Sequence, residues 1–460
     1  MTTNAGLWTP PFGTTEGPFV GTLKPHQAEG VAWLLDRHNA VLADDVGLGK
    51  TVQALAYIGA LDARGDLVRR PNSICRVLWI TDAPLQSKDR GEIERFLPSF
   101  TVATGEDPEL RANQKQRAAF KEKFGVGPDI LVMSYELATS RRHWLAQVAD
   151  PALVVLDEAM KIKGGKARFE AIQLITERAP RVVAMTATPY ENDPMELWTL
   201  LAAARVPGLW GNGEFANKFV TWEKRQVAPF QWETKPTGWV EEWLPEVREL
   251  LRRVMLDRDV TAADLALPEV IRTQKTVPLT PAQQEAYQAA SQRQGRHAVQ
   301  AMEAVSKAFR STSPLVDALF VELHKRHREQ VVVYCEMLFM LDLVEEQLRE
   351  RGITFARVEG KMKEAERSEA VERFRSGEAR ILLGSRVLER GLNLQQCRTL
   401  ISLDVSWNPA RERQREGRLR RIGSAFEVVE HVMILPDTPL ASAKRATLAS
   451  KTAGGAAVLR

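Results

Sequence analysis

The chain's 460 residues, 44% hydrophobic and 27% charged, carry enough apolar content for several globular cores, and length alone suggests about three domains. A net charge of +4 over that length permits nucleic-acid binding without arguing for it. Three widely spaced cysteines, Cys75, Cys335 and Cys397, exclude a disulfide framework and fit no metal-ligand pattern. The opening MTTNAGLWTPPFGTTEGPF lacks the basic start and apolar run of a secretion signal, and no apolar stretch reaches the roughly 18 residues that span a bilayer. The expectation is a soluble, non-secreted protein with no membrane partner, cytoplasmic in a bacterial or viral setting and nuclear in a eukaryotic one.

In chain order, short apolar and β-branched runs alternate with helix-like segments. AVLAD (40–44), VLWIT (77–81), ILVMS (130–134), LVVLD (153–157) and VVAMT (182–186) form a first set. VVVYC (331–335), TFARV (354–358), ILLGS (381–385), TLISL (399–403) and VVEHVMIL (428–435) form a second. Continuous apolar strands alternating with helices imply parallel sheets covered on both faces, and two sets imply two α/β lobes. Between the sets, over about 195–275, six tryptophans run from Trp198 to Trp243 and apolar residues recur at helical spacing, so this stretch reads as a mostly helical insertion. Its tryptophans are expected mainly to pack a small subdomain, with a binding surface as the alternative. Residues 279–330 read as helical from a Thr-Pro start, and the last twenty residues as a loose tail.

VLADDVGLGKTVQALAYI (41–58) passes from a strand through a glycine turn into a helix. Gly47 and Gly49 allow backbone N–H groups to converge on a phosphate at the N-terminus of the helix that follows. Lys50 would reach the β and γ phosphates of a nucleotide and the Thr51 hydroxyl would bind Mg²⁺. The strict phosphate-loop pattern is not met, because Asp44 stands where its first glycine would be. About a hundred residues on, the strand LVVLD ends in Asp157 and Glu158. Alone, such a pair is a commonplace of surfaces. After a phosphate loop, it fits a carboxylate for Mg²⁺ (Asp157) and a base for the attacking water (Glu158).

Taken together in order, these segments resemble the Swi/Snf-type ATPases of helicase superfamily two, over roughly residues 20–435. LKPHQAEGVAWLL (23–35), LADDVGLGKT (42–51), VVLDEA (154–159), MTATPYENDPMELWTLL (185–201), LLGSRVLERGLNLQQCRTLISLDVSWNP (382–409) and QREGRLRRIGS (414–424) carry the resemblance. It implies two RecA-like lobes of the phosphate-loop NTPase class: an extension over 1–19, lobe one over 20–205, a helical insertion over 206–275, lobe two over 276–436 and a flexible tail over 437–460. It also implies that Gln27 reads adenine, that Asp44 belongs to the loop, and that Leu48, Gly391, Asn393 and Gln414 complete the ATP site. Arg418 and Arg421 would be arginine fingers. Ser134, Tyr135, Thr186, Thr188, Ser385 and Arg386 would contact DNA or couple it to hydrolysis. Arg411, Arg413 and Arg415 are open to either reading, functional or a solvated helix face.

The chain departs from that family at three places. Met160 replaces the histidine usual in the acidic motif and cannot supply its polar link toward the coupling motif, which puts coupling rather than hydrolysis in doubt. TDAPLQSKDRGEIERF (81–96) is shortened and lacks the usual tryptophan. Leu388-Glu389 stand where a glycine pair is common. The expected activity is an ATP- and Mg²⁺-dependent translocase on DNA, most readily duplex, that remodels or displaces protein–DNA complexes or anneals strands, with a targeting protein as a possible partner. A nucleotide-gated clamp with little turnover and a strand-separating helicase are the alternatives.

Overall fold

The computed structural model describes residues 18–71, 73–107, 127–191, 193–228, 231–259, 267–292, 296–308, 313–389, 392–421 and 424–459. The chain divides into two compact units, Met1–Asp264 with Gly454–Arg460, and Leu265–Ala453.

The first unit is built on strands β1 (Asn39–Leu42), β2 (Val77–Thr81), β3 (Val102–Thr104), β4 (Ile130–Ser134), β5 (Leu153–Leu156) and β6 (Arg181–Met185), with a later strand, β9 (Met255–Leu256), added at one edge. All pair in parallel, in the order β3-β4-β2-β5-β6-β1-β9. Because side chains alternate across a strand, each run supplies two cores at once. Val41, Leu78, Ile80, Met133, Val154, Leu156 and Val182 face one cluster. Leu42, Val77, Trp79, Val132, Val155, Val183 and Met185 face the other, where the helices Pro25–Leu35 and Lys50–Ala63 pack.

The insertion is not mostly helical, which corrects the expectation for 206–275. Helices Asn212–Phe219 and Leu244–Val254 flank an antiparallel hairpin of β7 (Val220–Ala228) and β8 (Gln231–Trp239), and β9 then rejoins the lobe-one sheet beside β1. Four of its tryptophans, Trp198, Trp210, Trp239 and Trp243, pack into the first unit's core as expected. Trp222 and Trp232 do not, being 44% and 57% exposed.

The second unit has six parallel strands: β10 (Glu269–Val277), β11 (Val331–Tyr334), β12 (Phe355–Val358), β13 (Ile381–Gly384), β14 (Thr399–Ser402) and β15 (Val428–Pro436), in the order β10-β15-β14-β11-β13-β12. The edge strand β10 falls inside the segment expected to be helical. It is polar and mostly exposed, and only its ladder to β15 marks it as a strand. Residues expected as a flexible tail form the helix Pro439–Leu459, whose alanines favour helix even where few apolar residues are available.

Candidate nucleotide site

In parallel α/β sheets ligands gather at the carboxyl ends of the strands, and both sequence-predicted clusters of the first unit lie there. After β1 the chain turns through Asp44–Gly49 into the helix Lys50–Ala63. Gly47 and Gly49 take φ of 92° and 79°, a left-handed region in which a side chain would be strained. A Cβ on Gly49 would also stand 2.4 Å from Gln27 Nε2, so a larger residue there would displace the end of the Gln27 side chain. Lys50 Nζ donates to the carbonyls of Asp44 at 2.6 Å and Asp45 at 3.2 Å. Burial lowers its pKa, opposed by the carboxylates of Glu158, Asp44, Asp45 and Asp157. Thr51 follows as the second residue of the helix.

Asp157 lies at the end of β5, two strands from β1, with its backbone N–H donating to Ile80 O at 2.7 Å. Its side chain accepts a long 3.4 Å bond from Thr81 Oγ1. Burial raises its pKa well above the carboxylate range, and Asp89 and Glu158 push further the same way. Glu158 holds φ of 48°, a left-handed backbone that costs a non-glycine residue about 1–3 kcal/mol and commonly marks a working site. The donor set fits Mg²⁺: a hydroxyl and a carboxylate are hard oxygen ligands, and one or two protein ligands beside phosphate oxygens suffice for that ion. The left-handed glycines and the helix N-terminus fit the phosphates of ATP.

Several of the predicted residues are held by contacts within the unit. Asp44 is fully buried and does not face the phosphate turn. It accepts from Arg258 Nε at 2.8 Å and Nη2 at 2.6 Å and from Gln53 Nε2 at 2.9 Å, so it anchors the loop. Gln27 accepts from the Lys24 N–H at 3.0 Å and donates to Leu48 O at 3.3 Å, while His26 Nε2 also meets Leu48 O at 3.0 Å. Leu48 is thus held through its carbonyl. Ser134 caps the helix Tyr135–Ser140 by accepting from the Leu137 N–H, and the buried Tyr135 donates to Asp157 O at 2.8 Å. Neither stands on an open surface. Arg258, Gln53 and His26 were missed in the sequence; the only signal was a basic residue in MLDRDV, a segment with no apparent link to the loop.

Thr186 and Thr188 close the other side. Thr186 Oγ1 accepts from the Thr188 N–H at 3.1 Å, and Thr188 Oγ1 donates to Glu191 Oε1 at 3.2 Å. Glu191 pairs with Lys163, which also reaches Glu196 at 3.2 Å.

In the second unit Arg418 donates from Nε and Nη2 to Glu389 O at 3.0 and 2.7 Å. Glu389 itself is buried and accepts from Arg411, Arg415 and Tyr334, each at 2.9 Å. The reading of Arg411 and Arg415 as a solvated face is therefore wrong, whereas Arg413 is exposed. Arg386 pairs with Glu336, and Ser385 is buried at the end of β13. Asn393 Oδ1 is buried without a hydrogen-bond partner, and Gln414 is half-buried on the helix Pro409–Leu419. Arg421 closes a turn after that helix. Gly391 lies outside the described residues.

Residues 26–330 match the SNF2-related domain, and residues 314–423 the helicase conserved C-terminal domain. The chain belongs to the SNF2-related family. It is 27% identical to the ATP-dependent helicase BRM of Arabidopsis thaliana and 26% identical to the Nuclear protein STH1/NPS1 of Saccharomyces cerevisiae, each over 89% of this chain. It spans only 20% and 33% of those two proteins. Among solved structures, the Sulfolobus solfataricus SWI2/SNF2 ATPase core in complex with dsDNA is 20% identical, with a TM-score of 0.46 over 94% of this chain and 90% of that one.

Met160 is buried in the core on the turn Ala159–Gly164, where a charge would be costly. Lys163, on the same turn, pairs with Glu191, which accepts from Thr188 Oγ1.

Proposed function

We propose that this SNF2-related chain is an ATP-dependent motor that tracks along duplex DNA, remodelling or displacing bound proteins or annealing strands. The observation that carries the reading is the placement of the Gly47–Thr51 turn and the Asp157-Glu158 pair at the carboxyl ends of one parallel sheet, on a chain that belongs to this family. Relatives named as a helicase and as chromatin-remodelling ATPases support it.

The loop's N–H groups and Lys50 bind the phosphates, with Arg258 and Gln53 fixing Asp44 and hence the loop's position. Mg²⁺, when held by Thr51 and Asp157, supplies charge neutralisation on the phosphate oxygens. Glu158 orients and deprotonates the attacking water. Arg418 and Arg421 supply positive charge to the transferring phosphoryl group, a contribution of about 10³–10⁵ in rate for such fingers. Lys163, Glu191 and Thr188 relay the state of the acidic turn to the TAT segment.

The test is steady-state ATP hydrolysis with no nucleic acid, duplex DNA, single-stranded DNA and RNA, with Glu158→Gln as control. Duplex DNA should stimulate most, and the variant should lose about 10²–10⁴-fold in turnover while still binding ATP. Negligible hydrolysis on every polymer would sink the motor. A nucleotide-gated clamp would then stand, a reading favoured by Glu389, whose buried carboxylate and carbonyl already engage Arg411, Arg415 and Arg418.

A further inference from the structure

Two tryptophans of the hairpin, Trp222 and Trp232, belong to no core. Along the hairpin the register runs Trp222↔Pro236, Lys224↔Thr234 and Gln226↔Trp232, and directly paired residues share a face. Trp222, Lys224, Trp232, Thr234 and Pro236 therefore lie on one face. The ammonium of Lys224 sits 5.4 Å from the centre of the Trp232 ring, as that register requires. Glu223, Glu233 and Lys235 fall on the opposite face, where Lys235 pairs with Glu233 at 3.2 Å. The aromatic face thus carries a positive charge, and the hairpin's carboxylates stand on its back.

The base of the hairpin is rigidly mounted. Trp222 Nε1 donates to Ala216 O at 3.0 Å in the helix Asn212–Phe219, and Phe215 and Phe219 of that helix are buried against Trp210 and Trp239. Trp222 thus anchors the ribbon by its indole nitrogen while much of its ring stays exposed, and the more exposed Trp232 lies outside the unit's core. Ordinary surface composition gives single exposed apolar residues, not two indoles and a lysine sorted onto one face.

We propose that this face is a stacking platform for unpaired bases of single-stranded DNA adjoining the duplex on which the motor works, an inference that rests on the DNA reading above. Every base has a π-face, so indoles bind them without regard to sequence, while lysine meets the phosphates. Trp222 and Trp232 are four residues apart in register, about 13 Å along the strand. That is the length of about four stacked nucleotides. The platform would hold a displaced or frayed strand beside the motor, which suits strand annealing or work at forks better than travel on intact duplex.

The experiment compares binding of a labelled blunt duplex with the same duplex carrying a single-stranded tail of about ten nucleotides, by fluorescence anisotropy on the full chain. The parent should favour the tailed form. Trp232→Ala should weaken tailed binding by about 5- to 150-fold, the range for one stacked base, with the loss confined to the tailed DNA. Trp232→Phe should retain most of the affinity, because a smaller aromatic ring still stacks. Trp232 carries the test because its exposed ring can be removed without opening a cavity. Equal loss on blunt and tailed DNA overturns the platform, as does unchanged binding of both, which leaves the face to a protein partner. If the parent binds blunt duplex but gains nothing from the tail, this inference falls and the motor reading stands. If it binds no DNA at all, both fall.

Discussion

Asp89 is the residue whose position is hardest to explain by packing. It is fully buried on the helix Gln86–Phe96 and accepts from Trp79 Nε1 at 3.2 Å, and its Oδ1 has no hydrogen-bond partner among the described residues. Burial pushes its carboxyl up to about 6, opposed chiefly by Lys88, and it in turn raises Asp157. A carboxyl whose pKa is raised on folding holds its proton more tightly folded than unfolded. Its effect on stability is therefore nil below about pH 4, grows unfavourable as pH rises from about 4 to about 6, and is constant above. Asp89→Asn should consequently stabilise the metal-free chain at pH 7–8 by up to about 3 kcal/mol and leave it unchanged near pH 4. Urea denaturation in chelator at the two pH values measures this. A gain that is the same at both would mean that the effect is one of packing or hydrogen bonding. A stable protein made more stable by losing one carboxylate would identify Asp89 as a cost kept beside the metal ligand for function.

At the scale of elements, the phosphate loop is held by a segment more than two hundred positions away. β9 pairs with β1, Ala43 N–H donates to Leu256 O at 2.7 Å, Asp45 N–H donates to Arg258 O at 2.9 Å, and the Arg258 guanidinium grips Asp44 with both arms. Removing one partner of a buried pair leaves an uncompensated charge, at about 3–5 kcal/mol. Arg258→Ala should destabilise the first unit by that order and weaken ATP binding. Arg258→Lys should recover little, since an ammonium cannot form the planar double bond to a carboxylate. Tryptophan fluorescence reports the right transition, because ten of the eleven tryptophans belong to the first unit. Full ATP affinity in a destabilised Arg258→Ala protein would show that the clasp holds the fold but not the loop. This clasp also marks the limit of what was legible. The ten buried strands were readable because apolar runs covered on both faces announce themselves. β3 and β9 are three and two residues long, β10 is a polar edge, and the hairpin's apolar positions are diluted by Glu, Lys and Thr, so no period stood out. Lys50, Thr51, Asp157 and Glu158 were legible because their chemistry is local to short motifs. Arg258, Lys163 and Glu389 act through partners distant in sequence or through a buried charge replacing a glycine, and a linear reading has no means of pairing them.

For the whole molecule, the residues of the proposed chemistry are split between two units: Lys50 and Glu158 in one, Arg418 and Arg421 in the other. If both sets serve each turnover, the proposed roles leave two assignments, within one chain or between two chains. Joining two modules by a peptide gives an effective concentration of order millimolar, far above that of a second chain in a micromolar assay. Arginines would then act on the nucleotide of their own chain. Lys50→Ala and Arg421→Ala should each abolish DNA-stimulated hydrolysis, the second by about 10³-fold or more. Mixing the two inactive proteins should restore nothing at any ratio. Arg421 is the better choice than Arg418 because Arg418 is buried against Glu389, and its loss would mix folding with catalysis. Recovery on mixing, rising with total protein concentration, would mean that one chain completes the site of another. The working motor would then be an oligomer.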